Sequence, residues 1–247
     1  MIKYFLNRDT QTINSLTSTL AACLLWAFAF VANAASDTFQ LQPFEAEYTG
    51  IRWGNNVGTA TLKLEHLAAN TYSLTYFSKA KVFFYSDKRK EHSIFSFNDG
   101  HFTPKEYYYS RTGTGSDKSL ELAFNAKQQQ IEVKDGEAMD WLGEWDNQLY
   151  RLDIPQKLAN GEDDISYDFI NSRGEKRKYR IIVEGSESLS LPYGKVEAIK
   201  VKIARESKKR VTYAWFAPEL HYNMVRLQQF KNGDEQGDVQ LKAFRVL

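Results

Sequence analysis

Apolar and polar side chains alternate with a period of two over most of the chain that follows Phe44. In the segment FEAEYTG, Phe44, Ala46 and Tyr48 fall on one side and polar side chains on the other. The segment TATLKLEH, residues 59–66, repeats the pattern. Successive side chains of a strand point to opposite faces of a sheet, so the pattern predicts strands with one buried and one solvated face.

Comparable runs recur along the chain and are separated by turn sequences. The further runs are TYSLTYF, KVFFYS, HSIFSF, KEYYYS, LELAF, QIEV, KYRIIVE, EAIKVKI, RVTYAWFA, MVRLQQF and VQLKAF. Turn residues separate many of these runs, as in Asn98-Asp99-Gly100 and Asn232-Gly233-Asp234. The sequence therefore predicts a mainly β fold, an antiparallel curved sheet or barrel-like meander of about 11–13 strands. It shows no strand–helix–strand rhythm, which argues against a parallel α/β sheet.

Three glycines spaced four apart mark the segment YTGIRWGNNVGTATLKL, residues 48–64. No lysine follows at the position a phosphate-binding loop requires, and the flanks are too polar for a membrane packing face. Alternating runs stand on both sides of Gly54-Asn55-Asn56, so the segment is predicted to be a β-hairpin with its turn there. Gly50 and Gly58 are expected to allow a bulge or a close approach of two backbones.

One stretch in the middle of the chain lacks the alternation. In residues 141–161, Asp146 is a candidate N-cap, and Leu149 and Leu152 are spaced as on one face of a helix. Pro155 is expected to end or kink such a helix. We predict one short central helix between two runs of strands. Residues 35–247 are interpreted as a single mainly β domain.

The first 34 residues differ from the rest of the chain. Lys3 and Arg8 precede the apolar run Leu20–Ala32, and Ala34 completes a small-x-small site typical of signal-peptide cleavage. The apolar run is shorter than the roughly twenty residues that span a bilayer as a helix. We therefore predict an exported, periplasmic protein that is cleaved near Ala34 and is not integral to the membrane. An uncleaved anchor is the alternative.

The only cysteine lies within this leader. Cys23 follows Leu20-Ala21-Ala22, which is similar to a lipoprotein cleavage box, but the apolar residues follow Cys23 instead of preceding it. Lipidation at Cys23 is therefore a minor alternative. Cleavage after Ala34 would leave a chain without disulfides or thiolate ligands.

The charge of the chain bears on its partners. Removal of the leader lowers the formal net charge from +1 to about 0. Nucleic-acid-binding domains normally carry a strong basic excess, so no nucleic-acid partner is predicted.

An ordered set of short motifs resembles a bacterial secreted family called domain of unknown function 3108. These motifs are Tyr48…Gly58, Pro104 in FTPKEYYYSRTG, Asp146-x-x-Leu149-Tyr150 followed by Gly161, LPYGKVEAIKV, Trp215 in VTYAWFAPE, and Val225-Arg226. The resemblance covers about residues 43–247. Met224 departs from it, because a proline is expected before Val225. The resemblance implies a secreted, mostly β protein with no assigned activity, and by analogy an open sheet curled over a helix, as in periplasmic lipoprotein carriers.

Motifs for catalysis or for metal binding are not evident. The segment Gly185-Ser186-Glu187-Ser188 fails the G-x-S-x-G pattern of a nucleophile elbow. The four histidines are scattered, without a second ligand at metal-site spacing. No catalytic residue, metal or cofactor is predicted, and we expect a protein that is not an enzyme. An unrecognised hydrolase stays open, because carboxylate pairs can meet through the fold.

Two features point to possible partners. The aromatic side chains Trp53, Phe84, Tyr108 and Trp215 are candidates for a groove that holds an apolar or lipid-like ligand, although such rings also serve as core. Basic clusters, above all Lys208-Lys209-Arg210, are candidates for contact with an anionic envelope surface or polymer. The first feature favours a non-catalytic carrier and the second an envelope scaffold. The oligomeric state stays open.

Overall fold

The structure is a computed structural model, and it describes residues 41–205 and 209–247. The leader, its Cys23, the cleavage site at Ala34 and Lys208 lie outside the described residues. The N-terminal strands are β1 (Phe44–Arg52), β2 (Asn55–Ala68), β3 (Thr71–Val82), β4 (Tyr85–Asn98), β5 (His101–Gly113), β6 (Lys118–Asn125), β7 (Gln130–Val133) and β8 (Met139–Asp140).

A single α-helix, α1 (Tyr150–Ala159), follows these strands in the described part of the chain. The remaining strands are β9 (Asp164–Ile170), β10 (Lys176–Leu191), β11 (Gly194–Ala204), β12 (Arg210–Ala217), β13 (Asn223–Lys231) and β14 (Asp234–Val246), with a 3-10 helix at Pro218–Leu220. Within the described ranges, no helix is both long enough and apolar enough to cross a bilayer.

All the strands belong to one antiparallel, 14-stranded sheet. Its order is β8-β7-β6-β5-β4-β3-β2-β1-β14-β13-β12-β11-β10-β9. Each half is a meander of hairpins, and β1 pairs with β14 to join the halves. The sheet is not closed, since β8 and β9 are its two ends. The predicted fold class, a mainly β curved meander with one helix, is confirmed.

The period-two pattern predicts which side chains are buried in the first hairpin. Ala46 is opposite Leu62, and Tyr48 is opposite Ala60. All four side chains are buried, and the residues between them along β1 and β2 are more exposed. The alternation reports burial here because one face of these strands packs on the core.

The sheet has 14 strands rather than about 11–13, and the segment KVFFYS is not a strand of its own. Val82 ends β3, Phe83-Phe84 form the turn, and Tyr85 begins β4. In addition, the two-residue strand β8 and the whole of β9 had no counterpart in the sequence interpretation. β9 does alternate, with Ile165, Tyr167 and Phe169 buried.

The central helix is present, but its start and its proline differ from the expectation. Asp146 is not its N-cap: the helix begins at Tyr150, with Leu149 at the cap position and no capping side chain. Asp146 Oδ1 accepts instead from the Gln148 backbone N–H at 2.7 Å, in the turn before the helix. The helix continues through Pro155 to Ala159. The missing N–H of one proline removes a single helical hydrogen bond, and burial of the helix offsets that loss.

The helix packs against both halves of the sheet. Leu149 and Leu152 belong to a core cluster with side chains of β1–β5 and of β10–β14. Ile154 and Leu158 belong to a second cluster, with side chains of β9–β12. A sheet that contacts one short helix from both halves must curl around it.

The segment before the helix connects the two ends of the sheet. The Trp145 backbone N–H donates to Asp168 O at 3.0 Å, and Trp145 O accepts from the Ile170 N–H at 2.8 Å. Lys176 Nζ lies 2.6 Å from Glu144 Oε1. Trp145 forms only an isolated bridge with Phe169 of β9, which brings the sheet edges together without a continuous ladder.

Candidate functional site

Two tight turns define one end of the sheet, which we call the aromatic end. Alternate turns of a meander lie at the same end, so Trp53-Gly54, between β1 and β2, and Phe83-Phe84, between β3 and β4, share this end. The predicted hairpin of residues 48–64 is confirmed, but its turn is Trp53-Gly54, because Asn55 already pairs with Arg52 and begins β2. The opposite end, which carries the C-terminal part of α1, is called the helix end.

A pocket of about 390 Å³ opens at the aromatic end. Small residues of β1, β2 and β3 make its floor: Gly50, Gly58, Ala60, Ser78 and Ala80. Because these positions carry little or no side chain, the sheet leaves space where larger side chains would fill the interior. The volume lies within the range of sites for small molecules.

Gly58 is required by the geometry of this floor. A Cβ atom on Gly58 would lie 2.2 Å from Lys79 O of β3, whereas one on Gly50 would have its nearest neighbour, Gly58 O, at 3.5 Å. The register of β1 and β2 shifts between Gly50 and Ile51, which is a bulge or a comparable irregularity. The expected close backbone approach is therefore present at Gly58, and the irregularity lies beside Gly50.

Two arginines and one aspartate line the wall of the pocket. Arg89 Nε lies 2.7 Å from Asp87 Oδ1, and Arg111 Nε lies 2.7 Å from Asp87 Oδ2. Burial raises the pKa of Asp87, but the bonds and charges of Arg89 and then of Arg111 outweigh it, so the pKa is lowered. The carboxylate is thus held ionised, and this group of three side chains carries a net positive charge.

The other polar groups of the pocket fall into two kinds. Asp238 is already paired, because Arg226 donates to it through Nε at 3.0 Å and Nη2 at 2.7 Å. The Nε atom of Arg52, by contrast, is buried and has no hydrogen-bond partner. The pocket therefore contains an unsatisfied donor together with two arginines that share one carboxylate.

A buried polar cluster lies next to the pocket inside the curled sheet. Glu91 Oε2 accepts from Tyr107 Oη at 2.9 Å and from Asn147 Nδ2 at 2.7 Å, and Arg151 Nη2 lies 3.6 Å from Glu91 Oε1. The Arg151 guanidinium lies 5.0 Å from the ring centroid of Tyr76, which lines the pocket. This cluster fixes the segment before α1 against β4 and β5.

Asp146 is fully buried beside this cluster. Burial raises its pKa to about 7, against hydrogen bonds from Gln148 and Ser93 that lower it. Asp146 Oδ2 and the neighbouring Gln148 Oε1 both lack a hydrogen-bond partner. Two unsatisfied acceptors at zero exposure favour a proton on this carboxyl group.

A second pocket, of about 640 Å³, opens at the helix end. Most of its acidic side chains have partners: Tyr167 Oη donates to Asp153 at 2.7 Å, and Glu162 lies 3.0 Å from Lys157. Asp168 likewise lies 3.4 Å from the amine of Lys178. Since most of these carboxylates already have a partner, we take the pocket at the aromatic end as the candidate site.

The four aromatic residues proposed from the sequence are not gathered in one cavity. Trp53 and Phe84 lie at the aromatic end, in the turns beside the pocket, where they are 63% and 94% exposed. Tyr108 lies on β5 between the buried Tyr107 and Tyr109, and therefore on the opposite face of that strand. It lines a separate pocket of about 360 Å³.

Trp215 is a core residue and lines none of the pockets described here. It is 2% exposed, its indole N–H donates to Glu187, and the Arg226 guanidinium lies 5.0 Å from its ring centroid. Of the proposed surface cluster, Lys209 directly precedes β12 and Arg210 begins it. Their neighbour Lys208 is outside the described residues.

The residues that line the candidate pocket were not proposed from the sequence. Arg89 lies in a basic cluster, Lys88-Arg89-Lys90, but Arg111 and Asp87 are distant or inconspicuous in the chain. The available signal was the set of small residues on alternate positions of neighbouring strands. In the described ranges, no group of three or more His, Cys, Asp or Glu residues is arranged to hold a metal ion.

The fold and the pockets together define a class of protein: a curled, barrel-like β-sheet that packs around one helix and has a pocket at each end. The chain matches the family model "Protein of unknown function (DUF3108)" over residues 43–240, and it belongs to this family. The resemblance inferred from the ordered motifs is thereby confirmed. No curated protein matches the chain.

One solved structure shares the fold at low sequence identity, and a second one is much less similar. A β-barrel-like protein of the domain of unknown function DUF1849 from Brucella abortus is similar, with a TM-score of 0.58 and 10% identity over 85% of this chain and 99% of that one. A candidate exported protein with a YmcC-like fold from Bacteroides fragilis gives a TM-score of 0.31 at 13% identity, over 83% and 94% of the two chains. The first similarity supports the fold alone, and the second carries no argument.

Proposed function

We propose that this protein is a non-catalytic binding protein of the bacterial envelope, and that the pocket at the aromatic end holds a small amphipathic molecule with an acidic group. The observation that carries the proposal is the pairing of two facing arginines with a floor of small residues. Such a ligand would belong to the apolar or lipid-like class expected from the sequence.

The arginines account for the acidic group. A guanidinium binds carboxylate or phosphate oxygens through parallel N–H donors, so it is well suited to such a head group. Arg89 and Arg111 already share one carboxylate, and the unsatisfied Nε of Arg52 adds a further donor. An anion in the pocket would balance the remaining positive charge.

The rest of the wall accounts for the apolar part of the ligand. Ile51, Val57, Val82 and Val239 line the pocket beside its small-residue floor. Removal of an apolar chain from water against these side chains contributes roughly 25 cal/mol per Å² of buried surface. A molecule that is acidic at one end and apolar at the other satisfies both parts of the wall.

The proposed location is the periplasm, with export directed by residues 1–34. The support is the sequence of the leader, a basic start followed by an apolar run and a small-x-small site. An envelope compartment also supplies acidic amphipathic molecules in quantity.

Extraction of the protein after export tests this proposal. The wild-type protein is purified gently from the periplasm, extracted with organic solvent and analysed by mass spectrometry, and a near-stoichiometric acidic amphipath is expected. Ala80→Phe fills the pocket and should abolish the co-purified compound. Ala68→Phe, on the exposed far end of β2, is the matched control and should retain it.

A second pair of variants examines the arginines. Arg89→Met and Arg111→Met keep a long side chain but remove the charge, and both should lower the recovered amount. Arg180→Met removes an arginine of β10 that pairs with a carboxylate outside the pocket and should leave recovery unchanged. Two results would overturn the proposal. One is that Ala80→Phe yields the same compound at the same ratio of compound to protein as the wild type. The other is that repeated wild-type preparations yield no such compound.

A further inference from the structure

Four aromatic side chains project into solvent at the aromatic end. The exposed fractions are 63% for Trp53, 79% for Phe83, 94% for Phe84 and 69% for Tyr85. Both turns flank the mouth of the pocket, because Arg52, Val82 and Tyr85, which adjoin them, line its wall. Concentrated apolar exposure of this kind marks an interaction surface more often than an ordinary solvent face.

The turns themselves do not need aromatic residues. Trp53 has a φ of 51°, and Gly54 after it has a φ of 74°. The turn between β13 and β14 has the same arrangement, with φ values of 53° at Asn232 and 92° at Gly233. Phe83 also has a positive φ, of 53°. Left-handed backbone is unfavourable for bulky side chains and is usually given to Asn, Asp or Gly. Aromatic residues at these turns therefore work against local stability and need a reason outside the turn.

The Phe83-Phe84 turn is held in place by its neighbour. Thr114 Oγ1, from the connection between β5 and β6, donates to Phe84 O at 3.2 Å and accepts from the Ser86 N–H at 3.0 Å. The Thr114 N–H donates in turn to Ser86 O at 2.9 Å. The exposed rings are thus presented on a braced turn, so little order has to be gained on contact.

Basic side chains line the hairpin that carries Phe83 and Phe84. On the outward side of the β3–β4 hairpin, Lys79 is directly opposite Lys88. On the same face, Lys81 lies two residues nearer the turn and Lys90 two residues farther from it. Like charges on directly opposed positions destabilise a strand pair. The nearby Asp87 is engaged by arginines on the inward side. An anionic partner would relieve this repulsion.

We propose that the aromatic end docks on an anionic lipid bilayer, with Trp53, Phe83 and Phe84 inserted at the level of the head groups and the lysines of the β3–β4 hairpin on the lipid phosphates. Aromatic rings prefer the membrane interface, and lysines near an anionic leaflet add electrostatic attraction. Docking in this orientation places the mouth of the pocket at the bilayer surface. The inference goes beyond the proposed function, since docking does not require an occupied pocket.

Vesicle sedimentation with the purified protein tests the docking. Vesicles of equimolar phosphatidylglycerol and phosphatidylethanolamine should bind the wild-type protein. Its affinity for pure phosphatidylcholine vesicles should be lower by about tenfold or more. The triple variant Trp53→Ser, Phe83→Ser, Phe84→Ser should lose about tenfold or more in affinity for the anionic vesicles. Its thermal unfolding checks that the fold is retained.

The matched control is Leu142→Ser at the helix end. Leu142 is 84% exposed and lines the pocket at that end, so it presents apolar surface without the aromatic turns or the lysines. This variant should bind the anionic vesicles as the wild type does. Replacement of Lys79, Lys81, Lys88 and Lys90 by Gln should abolish the preference for phosphatidylglycerol.

Three results would overturn the docking proposal. The first is no sedimentation of wild-type protein with anionic vesicles, and the second is an equal loss for Leu142→Ser and the triple variant. The third is a pair of findings for the triple variant: it is a monomer in sedimentation equilibrium where the wild type is a dimer, and it binds vesicles as the wild type does. The aromatic end would then contact a second copy of the chain rather than a bilayer. Ala80→Phe changes the pocket and leaves the aromatic turns intact, so this variant should still bind vesicles. The docking proposal and the ligand-binding proposal can therefore be refuted independently of each other.

Discussion

Arg89 and Arg111 lie directly opposite each other on β4 and β5, and both donate to the single carboxylate of Asp87. The cross-strand pairing of two guanidinium groups is unfavourable unless an anion lies between them. In this structure that anion is Asp87, and in the proposed complex the acidic group of the ligand would add to it.

The variant Asp87→Asn should therefore be less stable than the wild type at low ionic strength, by about 1 kcal/mol, since these side chains are partly solvated. Added salt should reduce the difference by screening the two arginines. Urea denaturation at low and high salt measures it. Asp164→Asn, which removes the partner of only one exposed arginine, Arg180, is the control and should show a smaller salt-dependent loss. Equal behaviour of the two variants would contradict the expectation.

The floor of the pocket depends on Gly58. Gly58→Ala should destabilise the protein by about 1–3 kcal/mol, because the new Cβ forces β2 and β3 apart, whereas Gly50→Ala should be close to neutral. The nearest atoms are at 2.2 Å for the first variant and 3.5 Å for the second. Chemical denaturation compares the two. A Gly58→Ala protein as stable as Gly50→Ala would show that β3 can shift without loss.

The buried carboxyl of Asp146 predicts a pH dependence of stability. The folded chain keeps its proton up to a pKa of about 7, compared with 3.8 for the exposed group, so the folded state binds more protons between these values. Stability therefore falls as the pH rises from about 4 to about 7, by up to roughly 4 kcal/mol, and this destabilisation is fully present above pH 7.

The variant Asp146→Asn removes this titration. It should be more stable than the wild type at pH 8, and the difference should shrink as the pH approaches 4. Thermal or urea unfolding across this pH range provides the measurement. A constant difference between the two proteins at every pH would show that Asp146 does not titrate in this range.

The turn at Trp53 predicts a gain of stability on substitution. Trp53→Asn should stabilise the protein by about 1 kcal/mol, because an Asn-Gly turn suits the left-handed backbone better than a Trp-Gly turn. The reciprocal change, Asn232→Trp, introduces the same conflict at the β13–β14 turn and should lower stability by a similar amount. Urea denaturation of both variants tests this. A loss of stability in Trp53→Asn would show that the stacking of Arg52 on this ring, at 4.4 Å, outweighs the backbone term.

The strand content followed from local pattern. The alternation in β1 and β2 predicted the buried positions Ala46, Tyr48 and Leu62, because a residue on one face of a strand is buried or exposed according to its parity alone. The turn residues predicted the antiparallel hairpins. The segment KVFFYS was misassigned because its large rings have a high strand propensity, yet Phe83-Phe84 form a tight turn.

The candidate site depends on contacts between residues far apart in the chain. Arg111 contacts Asp87, which is 24 positions away in the sequence, and Asn147 contacts Glu91, which is 56 positions away. Contacts at such sequence separations produce no periodic pattern in the sequence. Trp215 and Tyr108 have comparable local sequences of aromatic residues, but one is in the core and the other on the outward side of β5.

The sequence by itself determined the β-meander, the first hairpin, the central helix and the family, because alternation, turn chemistry and ordered motifs are local properties of the chain. Only the tertiary structure decided that the meander curls around α1 and that its small residues leave a pocket. It also decided that Arg89, Arg111 and the exposed aromatic turns meet at one end. The physical reason is that curvature and register bring these groups together, and both are set by packing between distant strands rather than by neighbouring residues.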